Sequence, residues 1–256
     1  MKIDYFVPLS GYSILACDLS NIKFNEKCVI NTINQNAFVV AEQDEDFKSA
    51  LLNSDILLPD GIGIVAAAKL LTNKTIKKIA GDDMHMYLLN VLNEKGGSCF
   101  YMGATDKTLA LIKHKLSNEF PDIKVGSYSP PFKPFFSDED NAAIISRVNQ
   151  FKPDVLFIGM TAPKQEKWAH KFRSQLDANI ICSIGASFDF YAGTVVRPSK
   201  FWQNLWLEWF IRFIKEPRRM FRRYGYNGPI FFWMILIQKL KTIFELKTPA
   251  ELMNLN

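Results

Sequence analysis

The chain of 256 residues has no apolar run long enough to cross a bilayer. Its longest, Ile230–Ile237, falls far below the roughly 20 residues a spanning helix needs. Met1-Lys-Ile-Asp-Tyr-Phe-Val-Pro8 lacks the apolar centre of a secretory leader, so none is expected. Histidine is scarce: His85, His114 and His170 stand apart in the sequence, with no triad or ligand spacing between them. His114, in a Lys-flanked helical stretch, is expected to face solvent. Cys17, Cys28, Cys99 and Cys182 are scattered, with no C-x-x-C, and read as reduced, mostly buried thiols of a cytosolic protein. No repeat or low-complexity tract is present. Strings that look like metal-holding D-x-D, Asp44-Glu-Asp46 and Asp138-Glu-Asp140, fall where helices should begin, as does Asp82-Asp83. Acids there complement the helix dipole, so neither a metal nor a cofactor is indicated.

Apolar residues make up 48% of the chain and charged ones 22%, which excludes wholesale disorder and allows one large domain or one plus an appendage. The net charge of +5 is local. Between Arg197 and Tyr224 there are eight Lys/Arg, eight aromatics and two acids, which is +6 in that stretch alone. A localised basic patch favours a docking surface over a generally cationic protein.

From Lys27 to about Ala192, short apolar runs alternate with helical stretches. Strands are expected at 27–31, 56–58, 99–102, 123–126, 155–159 and 180–184, and helices at 47–53, 62–71, 83–93, 105–118, 138–151 and 163–175. Ser137-Asp-Glu-Asp140 has the form of a helix start. Such alternation predicts an α/β fold: a Rossmann-like, mostly parallel sheet with helices on both faces. After Gly193 the alternation gives way to helical patterns punctuated by Pro217 and Gly228-Pro229. The expected division is a catalytic α/β domain over 1–196 and a basic, aromatic-rich helical appendage over 197–256, with membrane binding its expected role.

In parallel α/β sheets, ligands bind beyond the carboxyl ends of the strands. Five strand-end turns therefore stand out: Asn31-Thr-Ile-Asn34, Leu58-Pro-Asp-Gly-Ile-Gly63, Met102-Gly-Ala-Thr-Asp106, Gly159-Met-Thr-Ala-Pro-Lys-Gln-Glu166 and Gly185–Gly193. A strand, a glycine and a helix start present free N–H groups and a positive dipole end, which suits a diphosphate. Asp60 is the candidate general base, although a carboxylate in Pro-Asp-Gly can equally close an Asx turn. Thr32 and Gln165 can hydrogen-bond a sugar or phosphate, or cap helices; spacing does not choose.

In the tail, cationic heads beside Trp and Phe suit a surface that is anionic outside and apolar beneath. Trp202, Trp206, Trp209 and Phe213 recur at helical spacing, as for a bilayer or for burial in a core. Single-stranded nucleic acid also accepts Arg and aromatics, but one apolar stripe set apart from Arg212 and Lys215 argues against it.

Taken in order, these strings resemble the WecG/TagA/CpsF glycosyltransferases (family 26). The resemblance rests on Asn31–Asn34, Pro59–Gly63, Ala80-Gly-Asp-Asp-Met84, Phe100–Gly103, Gly159–Glu166 with Trp168, Gly185–Gly193, Leu207-Glu-Trp209, Arg212, Glu216-Pro-Arg-Arg219 and Arg222-Arg-Tyr224. It implies an inverting enzyme that moves a hexose, often N-acetylmannosamine or its uronic acid, from a UDP-sugar to a polyprenyl-diphosphate-linked sugar in cell-surface polysaccharide synthesis. It further implies Asp60 as base and Thr32, Asn34, Lys78, Gly103 and Gln165 as substrate-site positions. Arg197, Arg212, Arg219 and Arg222 would bind diphosphate and membrane. The partners implied are the donor, the lipid-linked acceptor and an anionic membrane surface, with no nucleic acid and a homo-oligomer left open. The expected location is peripheral, on the cytoplasmic face of the bacterial cell membrane. Two positions depart from the pattern: Lys78 where the family usually has Arg, and Gln35 where it usually has Pro or Ala. Lysine keeps the charge without the planar fork that grips phosphate. The competing reading is a non-catalytic membrane- or nucleic-acid-binding module that keeps the fold.

Overall fold

A short hairpin starts the fold. In the computed structural model, which describes residues 5–22, 24, 27–196, 202, 210, 213–214 and 217–245, strands β1 (Phe6–Leu9) and β2 (Tyr12–Leu15) pair antiparallel. The turn between them, Ser10-Gly11, has positive φ at both residues, 51° and 88°, the geometry that matches strand twist in a two-residue hairpin. This hairpin is absent from the sequence expectation, although alternation of buried Val7, Leu9, Tyr12 and Ile14 around Ser-Gly is a hairpin signature.

The remaining strands are β3 (Cys28–Ile33), β4 (Ile56–Pro59), β5 (Ser98–Gly103), β6 (Lys124–Tyr128), β7 (Val155–Gly159) and β8 (Ile180–Ser183). All eight form one sheet in the order β1-β2-β4-β3-β8-β7-β5-β6. Every neighbouring pair except β1–β2 is parallel. The predicted mostly parallel α/β sheet is present, and its six expected strands fall within a few residues of the observed ones. Central strands are apolar on both sides, as Val155–Ile158 shows, because helices cover both faces.

The helices are α1 (Gln35–Ala41), α2 (Glu45–Leu52), α3 (Ile62–Thr72), α4 (Gly81–Lys95), α5 (Asp106–Glu119), α6 (Asp138–Phe151), α7 (Lys164–Phe172) and α8 (Ser187–Ala192). One face of the sheet packs Leu88 and Leu89 of α4, Ile112 and Leu116 of α5, and Phe188 and Tyr191 of α8. The other carries α1, α2 and α3 over the β1-β2-β4-β3 half and α6 and α7 over the rest. The acidic strings do what their positions suggest. Asp44 Oδ1 accepts from Phe47 N–H at 3.0 Å, capping α2, and Ser137 and Asp140 form a reciprocal capping box on α6.

Near the C-terminus, α9 (Pro217–Met220), a π-helical turn (Phe221–Tyr226) and α10 (Asn227–Glu245) make one continuous helical run. Gly228-Pro229 therefore does not interrupt the helix as the sequence reading has it. Pro229, which has no N–H to give, follows directly on the π-helical turn, where Asn227 N–H already reaches back five residues to Arg222 O and the regular ladder is shifted. α10 lies on the α1/α3 side of the sheet, with Phe231 and Ile235 buried among Ile33, Phe38 and Ile64. Phe231 meets Phe38 edge-on at 5.2 Å between centroids. Asn227 Nδ2 donates to Asn36 Oδ1 at 2.8 Å, and Ser10 Oγ donates to Gln238 Oε1. The expected boundary at Arg197 and most of the Trp202–Phe213 stripe lie outside the described residues. Among the described residues, no helix is long and apolar enough to cross a membrane.

Candidate functional site

Adjacent strands β3 and β8 feed helices on opposite faces: α1 follows β3 on one side and α8 follows β8 on the other. Such a divergence opens a crevice at the carboxyl edge of the sheet. The strand-end turns converge there.

Asp60 directly follows β4. Its backbone N–H is shared between the carbonyls of Ile33 and Leu58, at 2.9 Å each, so the turn is tied to the end of β3. Gly61 follows with φ of 140° and starts α3 without a side-chain cap. The Gln35 side chain lies over this turn: a methyl group at Gly63 would stand 2.3 Å from Gln35 Nε2. Thr32 lies within β3, opposite Leu58, and caps no helix. Asn34 does cap one, its Oδ1 accepting from Ala37 N–H at 3.0 Å at the start of α1, a helix the sequence reading leaves out. Ile79 N–H donates to Pro59 O at 3.0 Å, which sets half-buried Lys78 beside the Asp60 turn.

Across the crevice, Gln165 is buried in the first turn of α7. Its Oε1 accepts from Met160 N–H at 3.2 Å, bracing the turn after β7. Its amide also touches the β8 turn, since a methyl group at Gly185 would stand 3.3 Å from Oε1. Gly103, at the end of β5, pairs with Gly159 of β7. Between Asp60 and Gly103 stand β3, β8 and β7, so at about 4.8 Å per strand the two are roughly 19 Å apart. Gly103 is therefore not beside Asp60.

Backbone groups add to the electrostatics of this edge. α3 and α7 begin here without a side-chain cap, whereas the start of α4 carries Asp82 and Asp83, and Asp83 Oδ2 accepts from Ala80 N–H at 2.8 Å. The first N–H groups and dipole ends of α3 and α7 form a surface suited to phosphate oxygens. His85 takes no part: buried beneath the sheet, it shares a hydrogen bond with Tyr101 Oη at 2.6 Å, and burial pushes it down to about 3, so it stays neutral. All four cysteines are buried and free, and burial pushes Cys28 and Cys99 up to about 12. Among the described residues, no three His, Cys, Asp or Glu side chains gather closely enough to hold a metal ion.

Against this geometry, the model of the WecG/TagA/CpsF glycosyl transferase family matches residues 9–244. That span takes in the whole sheet from β2 onward and nearly all of α10. The chain belongs to the WecG/TagA/CpsF glycosyltransferase family. An N-acetylglucosaminyldiphosphoundecaprenol N-acetyl-beta-D-mannosaminyltransferase of Bacillus subtilis (strain 168) is 34% identical over 191 residues, covering 75% of this chain and 73% of the relative. Proteins of the same name from Bacillus spizizenii and Staphylococcus aureus (strain MW2) are 29% and 24% identical, over 76% and 83% of this chain and 74% and 81% of theirs.

In this glycosyltransferase, Asp60, Thr32, Asn34, Lys78 and Gln165 share one edge of the sheet. Arg222 is exposed on the π-helical turn, which touches α1 and α10. Only the backbone of Arg219 is described, in α9, and Arg197 and Arg212 lie outside the described residues. The sequence reading passes over Glu166. No local sequence signal singles it out: it is buried with Gln165, Trp168, Ala169 and Phe172, which folding decides.

Proposed function

We propose that this enzyme transfers an N-acetylmannosamine-type sugar from UDP to the N-acetylglucosamine of a polyprenyl diphosphate, with inversion at the anomeric carbon. The observation that carries the reading is the position of Asp60, directly after β4 on the sheet edge where α3 and α7 begin without side-chain caps. The substrate in the relatives' names supplies the acceptor class.

In the step proposed, the Asp60 carboxylate takes the proton of an acceptor hydroxyl. The hydroxyl oxygen attacks the anomeric carbon as the bond to the β-phosphate oxygen breaks, and UDP departs with that electron pair. The charge developing on UDP falls to the N-termini of α3 and α7 and to Lys78, donors fixed before the reaction starts. Thr32, Asn34 and Gln165 would orient the donor. Gln35, lying on the Asp60 turn, is placed to influence which sugar is accepted.

The acceptor's lipid implies work at a membrane face, here taken as the cytoplasmic one. α10 supports this: opposite its buried side it exposes Phe232, Trp233, Leu236, Leu240 and Phe244, with Lys239 and Lys241 interleaved. An exposed apolar stripe flanked by cations suits an interfacial helix. Arg222, with Arg197, Arg212 and Arg219, would meet lipid headgroups or the acceptor diphosphate.

Product mass tests the reading. Purified protein, a short-chain polyprenyl-diphosphate-GlcNAc and a panel of UDP-sugars should yield one product heavier by a single N-acetylhexosamine, with UDP-N-acetylmannosamine as the donor. A product from a different donor would correct the sugar, and no product from any donor would overturn the reading.

A further inference from the structure

The transfer step above leaves Glu166 without a role. It lies in the first turn of α7, 1% exposed, and its Oε1 accepts Nε2–H of Gln165 at 2.8 Å. Its Oε2 has no partner among the described residues. Two other buried oxygens share that condition, Asn31 Oδ1 and Ser183 Oγ. Both belong to the sheet face that α7 covers, on β3 and β8. The register that pairs Ile30 with Cys182 brings Asn31 alongside Ser183 one residue later.

Charged neighbours are engaged elsewhere. From the α2 side come Asp44 and Asp46, both held by Lys167 at 2.9 and 3.5 Å. At the far end of α7, Arg173 pairs with Asp55 at 3.0 Å. On α7 itself, Lys164 lies over the Phe136 ring at 3.5 Å and His170 is half-buried. The covered face of β3, β7 and β8 offers Val29, Asn31, Ile33, Leu156, Ile158, Ile181 and Ser183, none of which titrates as an acid or base near neutrality. No cation pairs with Glu166 among the described residues. Burial pushes its carboxyl up to about 7, and a proton on Oε2 would give the layer of acceptor oxygens a donor.

We propose that Glu166 is a positioning residue for the donor site: by accepting one Nε2 hydrogen it locks the Gln165 amide, with its oxygen on Met160 N–H and its second Nε2 hydrogen left for a phosphate or sugar oxygen. The inference builds on the UDP-sugar reading. Without Glu166 the amide can turn over and present its oxygen to an anion. When Glu166 ionises, a negative charge enters a dry layer directly behind a site that must hold a diphosphate, and binding weakens. Glutamine at this position keeps an acceptor for Gln165 and stays neutral; leucine keeps the bulk and loses the acceptor.

The test is UDP affinity measured by calorimetry at pH 6, 7 and 8.5 for the parent, E166Q and E166L. Taking the parent-to-E166Q ratio of dissociation constants cancels the titration of UDP itself. That ratio should rise at least about threefold from pH 6 to 8.5, while E166L binds at least about tenfold more weakly at every pH. A ratio that stays flat overturns the proposal, as does E166L binding like the parent or a parent that does not bind UDP. E166Q alone decides if E166L does not fold. UDP binding that behaves as expected, with no sugar ever transferred, would sink the transfer reading and leave the role of Glu166 standing. Sugar transfer with a flat ratio would do the reverse.

Discussion

Ile79 N–H donates to the carbonyl of Pro59 at 3.0 Å, so the segment carrying Lys78 is pinned against the turn carrying Asp60 although seventeen residues lie between Asp60 and Lys78. The two side chains have separable duties in the proposed reaction. Asp60→Asn should lower kcat by about 10²–10⁴, the usual worth of a general base, with little change in donor KM. Lys78→Ala should instead raise donor KM, and Lys78→Arg should preserve or improve it by restoring a planar fork. Initial rates at varied donor concentration separate the two effects; a matched loss of kcat in both variants would contradict the division.

Gly103 needs its hydrogen. A methyl group there would stand 2.3 Å from Gly159 O, and its φ of 120° is strained for any other residue. Gly103→Ala should cost about 2–4 kcal/mol in denaturant unfolding. Gly96, with φ of 62° but open space around it, is the control, at about 1 kcal/mol. Equal losses at the two sites would count against the close β5–β7 approach.

The two sides of α10 should fail differently. Phe231→Ala empties a fully buried site beside Phe38 and should cost about 3–5 kcal/mol. Trp233→Ala, on the exposed side, should move stability by no more than about 0.5 kcal/mol yet weaken sedimentation with anionic vesicles. If Trp233→Ala left vesicle binding intact, the membrane assignment of that stripe would be lost.

Glu166 should make stability depend on pH. Its carboxyl rises from an ordinary 4.5 to about 7 on folding, chiefly through burial, so between those values the folded state holds more protons than the unfolded one. The stability linked to that proton is fully present below about 4.5 and lost as pH rises through about 7, on the order of 3 kcal/mol in all. Denaturant midpoints at pH 5 and pH 8 should therefore differ more for the parent than for Glu166→Gln. Parallel changes in the two proteins would show that other groups carry the effect.

The parallel sheet was legible because buried strands such as Val155–Gly159 are short apolar runs followed by glycine. Asp60 could be picked out for the same local reason, its place one residue beyond a strand. What local pattern does not carry is pairing between distant segments. The Ile79–Pro59 bond, the closeness of Gly103 to Gly159, and Phe231 reaching Phe38 from the far end of the chain are all set by tertiary packing. The Ser10-Gly11 hairpin was readable from turn chemistry and alternation, and α1 from its Asn34 cap. Glu166 illustrates a different limit: its raised carboxyl comes from burial, which only the folded arrangement reveals.

The most direct test of the central claim is acceptor-dependent UDP release by the parent and Asp60→Asn proteins, assayed side by side with UDP-N-acetylmannosamine and polyprenyl-diphosphate-GlcNAc. The account predicts release by the parent only when acceptor is present, and a loss of at least about a hundredfold in a variant that still folds and binds UDP. Release at the parental rate by Asp60→Asn would contradict it, because the carboxylate at the end of β4 would then have no part in the chemistry.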